Sequence, residues 1–300
     1  MSSLGEGITH FAVDLFQQIR QSKKENIFYS PLSIMSAFAM TSLGARGHTA
    51  SEIQKVGRSF LYTYQLVLVL CWLLCRWSQT WLSPGVAQEA ANLPRTGRLN
   101  VANRLYAEKT ILFLQVSFVV MKQTNLFNCM SPEDMQVKIL EIPYKGQELS
   151  MFLLLPNDVD GLQQLEDQLT AEKLIEWTSP QNMNQREIEL HLPQFKVEET
   201  YDLKPMLRAL GMVDAFTEGK ADFSGMSKVR ELKVSEAFHK SFVEVNEEGT
   251  EATAVTGVEA VIRSAVFPES FHCDHPFLFL IKHNKINSLL FYGRVSSPEM

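Results

Sequence analysis

The chain has 300 residues, 45% hydrophobic and 21% charged, with a formal net charge of −6. That composition supports a sizeable core and excludes a mainly disordered chain. The acidic balance argues against a protein that works on nucleic acid or an anionic membrane, because both partners favour a basic surface.

Four cysteines, Cys71, Cys75, Cys129 and Cys273, form no disulfide framework and suit a reducing compartment. The opening residues, MSSLGEGITHFAVDLFQQIR, carry Glu6 and Asp14 and lack the basic start and unbroken apolar stretch of a secretory signal. No Asn-x-Ser/Thr sequon occurs. The expected location is therefore the cytoplasm, with an extracellular role requiring a route without a signal peptide.

Ile8, Phe11, Leu15, Phe16 and Ile19 recur at helical spacing and predict a first amphipathic helix. Asn26–Tyr29 is a short β-like piece. Ser30-Pro31 opens a second helix, with Ser30 as cap and Pro31 at the first helical position, ending at Gly44. Leu32–Leu43 is apolar on nearly every side and reads as buried. Thr49 and Glu52 have the spacing of a capping box for a third helix.

Residues 57–98 differ in character. They hold three of the four tryptophans, Trp72, Trp77 and Trp81, and Leu66–Cys75 is ten consecutive apolar residues. A membrane span needs about 20, so the run reads as a buried helix or strand, or else as an aggregation-prone surface or a non-native insert. Cys71 and Cys75 would share a face if the run is helical, and buried thiols of this kind are inert.

From Leu99 the pattern turns strand-rich. Val137–Ile142 and Leu149–Leu155 flank a Lys145-Gly146 turn and predict a hairpin. Leu162, Leu165 and Leu169 share a helical face, and Thr170 caps a helix running through Trp177. Ile188, Leu190 and Leu192 alternate as in a half-exposed strand. Tyr201–Leu210 reads as a helix ending at Gly211. Ser241–Asn246, Pro276–Ile281 and Ser288–Val295 are further strands. The class is α+β, a single domain over 1–300 with several antiparallel strands.

No phosphate loop, dinucleotide fingerprint, H-E-x-x-H or G-x-S-x-G occurs, so an enzyme is not expected, nor a cofactor. His272, Cys273 and His275 cluster in sequence, but no second group completes a coordination sphere, so no metal is expected there. Lys23-Lys24 reads as a solvated turn.

The informative stretch is 247–270, EEGTEATAVTGVEAVIRSAVFPES. Thr250, Ala252, Ala254, Thr256, Val258 and Ala260 are small or β-branched and fall on one face, with Glu251 and Glu259 on the other. Such a segment can form a strand buried on one side. It also carries Arg263, the only Lys or Arg between Lys240 and Lys282. A lone arginine in an exposed loop is a cut site for trypsin-like proteases. The plainer alternative is a surface linker with incidental β-propensity.

At these residues the chain resembles the serpins. The segment Glu247, Glu248, Gly249, Thr250, Glu251, Ala252, Thr253 and Ala254 is similar to the family's loop hinge. FHKSFVEVNEEG is similar to the strand before it, and HPFLFLIKHNKINSLLFYGRVSSP to the signature after it. NIFYSPLSIMSAFAMTSLGARGHTA is similar to the second-helix region, and Ile139–Met226 reads as serpin throughout. The resemblance covers residues 1–56 and 99–300. It points to the intracellular ovalbumin-type branch, clade B, nearest the squamous-cell-carcinoma-antigen group.

The resemblance implies a serpin fold, with helices on antiparallel sheets and an exposed reactive loop at 247–270. It implies a suicide-substrate inhibitor, in which a protease cuts the loop and the cut loop inserts into the central sheet. Counting from the hinge glycine places Arg263 before the scissile bond and Ser264 after it. The implied partner is a trypsin-like serine protease, with a cysteine protease as alternative, met by a monomer. Two departures stand against this. Residues 57–98 resemble nothing in the family. After Leu114-Gln115 the chain passes over two helices, one of which lies across the central sheet in the family, two strands and the family's Phe-Lys-Gly-x-Trp motif. One of those strands lines the insertion slot, so the central sheet is expected to be incomplete. The pattern is similar to a splice variant with an intron-like insert and skipped exons, and its alternative function is that of a plain, non-inhibitory substrate.

Overall fold

A computed structural model describes residues 4–57, 120–227, 232–246 and 268–298. The run Leu66–Cys75, nearly all of the expected insert, the discontinuity after Gln115 and the segment 247–267 lie outside these residues.

The described chain begins with α1 (Leu4–Ser22), β1 (Ile27–Tyr29), α2 (Pro31–Gly44) and α3 (Gly47–Val56). It resumes with β2 (Val120–Met130), β3 (Val137–Pro143) and β4 (Leu149–Pro156), then the short helices α4 (Leu162–Gln168) and α5 (Ala171–Trp177). Next come β5 (Asn184–Pro193), β6 (Phe195–Asp202), α6 (Lys204–Ala209) and β7 (Phe238–Val245). The C-terminal strands are β8 (Glu269–His272), β9 (Phe277–His283) and β10 (Ser288–Val295).

Eight strands form one sheet in the order β1-β10-β9-β4-β3-β2-β5-β8, while β6 and β7 pair separately. Every pairing among the described residues is antiparallel except β5 with β8, which is parallel. The fold class α+β therefore holds, with one parallel edge pair that the sequence did not announce.

The eight-stranded sheet is buried on both faces at its centre, which explains why β9 is an unbroken apolar run rather than an alternating one. Leu278 and Leu280 point to the core beneath α1 and α2, whereas Phe277, Phe279 and Ile281 point to the other core. On that second side Phe28 stacks on Phe279 and Phe291, with ring centroids 5.7 and 5.2 Å apart. Gly293 makes room for this stack, because a Cβ there would lie 2.3 Å from the Phe279 ring. On the helix side Tyr29 stacks on Tyr292 and its Oη donates to Ala12 O at 2.6 Å. Each fully buried aromatic or aliphatic side chain contributes about 1.5–3 kcal/mol by transfer from water.

The N-terminal clasp is ionic. Arg294, 5% exposed, donates from Nη1 to Glu166 Oε1 at 3.1 Å and from Nη2 to the carbonyls of Lys23 and Glu25 at 2.8 and 2.6 Å. Arg20 reaches the other Glu166 oxygen at 3.3 Å. The last strand is thereby tied to α1 and α4.

Most sequence expectations hold locally. Ser30 Oγ caps α2 by accepting from Ser33 N at 3.2 Å. Thr170 Oγ1 accepts from Lys173 N at 3.3 Å. Gly146 and Gly211 adopt φ of +82° and +107°, a left-handed region that other residues avoid.

Three expectations are corrected. Thr49 and Glu52 do not form a capping box: α3 starts at Gly47, Thr49 is buried, and both side chains bind backbone from residues 213–222. Tyr201 and Asp202 end strand β6, and only Lys204–Ala209 is helical. Helix α2 is not buried all round. Contacts with β10, α1 and α3 cover Leu32, Ile34, Met35 and Ala39, but Met40 and Leu43 are 58% and 45% exposed.

Candidate functional site

Segment 247–267 joins two different sheets. It leaves from β7 in the small sheet and re-enters at β8, on the edge of the large one. Glu269 and Ser270, assigned above to the loop, already belong to β8.

The departure strand alternates cleanly. His239, Ser241 and Val243 are buried, while Phe238, Lys240 and Glu244 are exposed. Its inward residues, with Tyr201 opposite His239, face β1. Among the described residues β1 pairs with β10 alone, so its other edge carries backbone groups that the sheet does not pair. Side chains of the small sheet satisfy them. Phe28 N donates to Tyr201 Oη at 3.1 Å, Ser241 Oγ donates to Phe28 O at 2.5 Å, and Ser30 N donates to His239 Nε2 at 3.0 Å. Accepting from Ser30 N requires His239 to be neutral at Nε2. Burial pushes its pKa down from 6.5 to about 4. The strand that leads into the loop is thus seated on the large sheet's edge by two hydrogen bonds of its own, from His239 and Ser241, and by a third from Tyr201 on its partner β6. Among the described residues β7 has one strand partner, β6, and Lys240 bridges to Glu198 across that pair at 2.6 Å.

The return strand is held at its rim. Ile188 pairs with Glu269 and His191 with His272, whose rings lie 4.1 Å apart. Glu269 meets Arg186 at 3.3 Å and Lys138 at 3.8 Å. Cys273 N donates to His191 O at 2.9 Å, locking the chain as it turns into β9.

Hinge residues Glu247, Glu248, Gly249, Thr250, Glu251, Ala252, Thr253 and Ala254, and the expected scissile bond Arg263-Ser264, lie outside the described residues, as do Cys71 and Cys75. The neighbours His272, Cys273 and His275 are described and do not converge. His272 is exposed against His191, and Cys273 is buried with its thiol pKa raised by desolvation. His275 places Nε2 2.6 Å from Pro156 O and Nδ1 2.6 Å from Asp274 Oδ1. Sequence reading missed the β1 docking set, whose members are far apart in the chain. The alternation of Val197 and Tyr201 was the available signal for β6.

An α+β fold in which segment 247–267 joins a small sheet to the edge of a large one defines the class, and comparison with known proteins agrees. The family model Serpin (serine protease inhibitor) matches residues 6–119 and 114–298, so the chain belongs to the serpin family. Human Serpin B3 is 39% identical over 391 residues, covering 99% of this chain and all of the relative. Human leukocyte elastase inhibitor is 34% identical over 379 residues, again across 99% of this chain and all of the relative. The solved structure of uncleaved ovalbumin superposes with a TM-score of 0.77 at 31% identity, covering 99% and 100% of the two chains. These relatives are of the clade B, ovalbumin type. The alignment with Serpin B3 is longer than the 300 residues of this chain, so part of that relative has no counterpart here. Among the described residues no helix is long and apolar enough to cross a membrane.

Proposed function

We propose that this chain presents 247–267 to a trypsin-like serine protease, with Arg263-Ser264 as the scissile bond, and acts as a suicide-substrate inhibitor. The observation that carries this is the seating of the two loop ends. β7 is docked on β1 through His239 and Ser241, and β8 is docked on β5 through its register and Glu269. A loop held at both ends and offering one arginine suits a specificity pocket that bears an acidic group, since guanidinium–carboxylate pairing is strong and directional. A cysteine protease is the alternative target class. The chain acts as a monomer in the cytoplasm, without nucleic acid or a membrane as partner.

A second reading is favoured by a specific feature. The described small sheet has two strands, β6 and β7, and the sequence lacks the family's Phe-Lys-Gly-x-Trp strand. An inserted loop needs a strand on each side to complete its ladders. A chain without that slot is cut as a plain substrate.

Incubation with trypsin separates the two. A covalent complex that survives denaturation supports inhibition, whereas cleavage with no complex supports the substrate reading. N-terminal sequencing of the released fragment should start at Ser264. A start elsewhere within 250–270 would refute the bond assignment.

A further inference from the structure

Helix α3 is stapled to a segment more than 160 positions away. Arg46 N donates to Asp222 O at 2.9 Å, and Asp222 N donates to Thr49 Oγ1 at 3.0 Å. Glu52 Oε2 accepts from Val213 N and Asp214 N at 2.8 and 2.7 Å. Those two amides orient the Glu52 carboxylate and turn its other oxygen, Oε1, toward His48. His48 Nδ1 lies 3.4 Å from Glu52 Oε1 and 2.6 Å from Asp214 Oδ2. His48 and Glu52 are one turn apart on α3, and one imidazole nitrogen and two carboxylate oxygens lie within 4.8 Å of one another.

The charge balance is a separate observation. The Glu52 and Asp214 side chains are only 12% and 16% exposed, and among the described residues neither pairs with a lysine or arginine. Among the described residues two partly desolvated carboxylates thus share a single imidazole, so acidic side chains outnumber basic ones at this point.

We propose that His48, Glu52 and Asp214 form a zinc-binding site that pins α3 to the turn at residues 212–216. Zinc holds nitrogen and oxygen ligands at about 2.0–2.2 Å in a tetrahedron, which puts neighbouring donors about 3.3 Å apart. The His48–Glu52 pair already has that spacing. The His48–Asp214 contact has the length of a hydrogen bond. Replacing its proton by the metal requires the ring to swing outward, and His48, 74% exposed, has the space to do so. Its exposure also leaves the fourth position to water. One imidazole with two carboxylates suits zinc better than magnesium or calcium, which take all-oxygen shells of six or more ligands. The site is separate from both ends of the loop and binds metal independently of inhibition.

The test is competition for Zn²⁺ between the full chain and a chromophoric chelator at pH 7.5. The parent chain should withdraw one equivalent. Affinity should fall tenfold or more in His48→Ala and in Asp214→Asn, and should be unchanged in His272→Ala. His48 is exposed, so its loss does not threaten the fold, and circular dichroism verifies this for each variant. Zinc should also raise the melting temperature of the parent but not of His48→Ala. No zinc uptake by the parent, equal uptake by a folded His48→Ala chain, or displacement of zinc by equimolar Mg²⁺ would overturn the proposal and leave the triad as a hydrogen-bonded clasp.

Discussion

Acidification should unseat β7 through His239. The ring accepts from Ser30 N and is buried, so its native pKa is about 4 against 6.5 in the unfolded chain. With the folded value depressed, the unfolded state binds the extra proton. The stability associated with neutral His239 is intact above pH 6.5 and declines as pH falls from 6.5 to about 4. Between pH 7 and pH 5 this linkage amounts to about 2 kcal/mol. Urea unfolding followed by circular dichroism at both pH values measures the loss. The comparison chain is His239→Asn, which keeps an acceptor and cannot titrate, so carboxylates and other histidines cancel in the difference. The parent should lose about 2 kcal/mol more than the variant over that interval. Equal losses would refute the assignment of a buried, neutral, hydrogen-bonded His239.

Replacing Arg294 by Met leaves Glu166, 2% exposed, with Arg20 as its remaining cation and should destabilise the chain by about 3 kcal/mol; a chemical melt reads this directly, and adding Glu166→Leu should recover part of it. In a version of the chain with the missing central strand restored, Thr250→Arg should turn an inhibitor into a substrate, since the charge must be buried on insertion at a cost of several kcal/mol; complexes at the parent stoichiometry would show that Thr250 does not face inward. The chain as it stands should aggregate readily, because an open strand edge recruits other chains and Leu66–Cys75 is an uncharged apolar window. Its melting temperature should not rise after limited cleavage at Arg263, and a large upward shift would mean that the loop still inserts.

Short-range features were legible in the sequence. Ser30-Pro31, Thr170 and the Lys145-Gly146 turn act through neighbours within four residues, so their spacing alone announces the helix starts and the hairpin. Pro276–Ile281 reads as a strand for a related reason, its continuous apolar run, while its burial on both faces is shown by the structure. The loop's composition and lone arginine were equally plain, as was the resemblance that gave them meaning.

Long-range partners decided the rest. Thr49 and Glu52 have capping-box spacing, yet backbone amides at 213, 214 and 222 claimed both side chains, and the helix began three residues earlier than that box implies, at Gly47. Tyr201 was drawn from a helical pattern into β6 by its place opposite His239 and its bond to Phe28 N. His48 and Glu52 stand four apart in plain view, but Asp214, which completes the triad, comes from a distant turn. A side chain's hydrogen-bonding capacity is written in its residue type. Which group satisfies it depends on what the fold brings within about 3 Å, and only tertiary structure sets that distance.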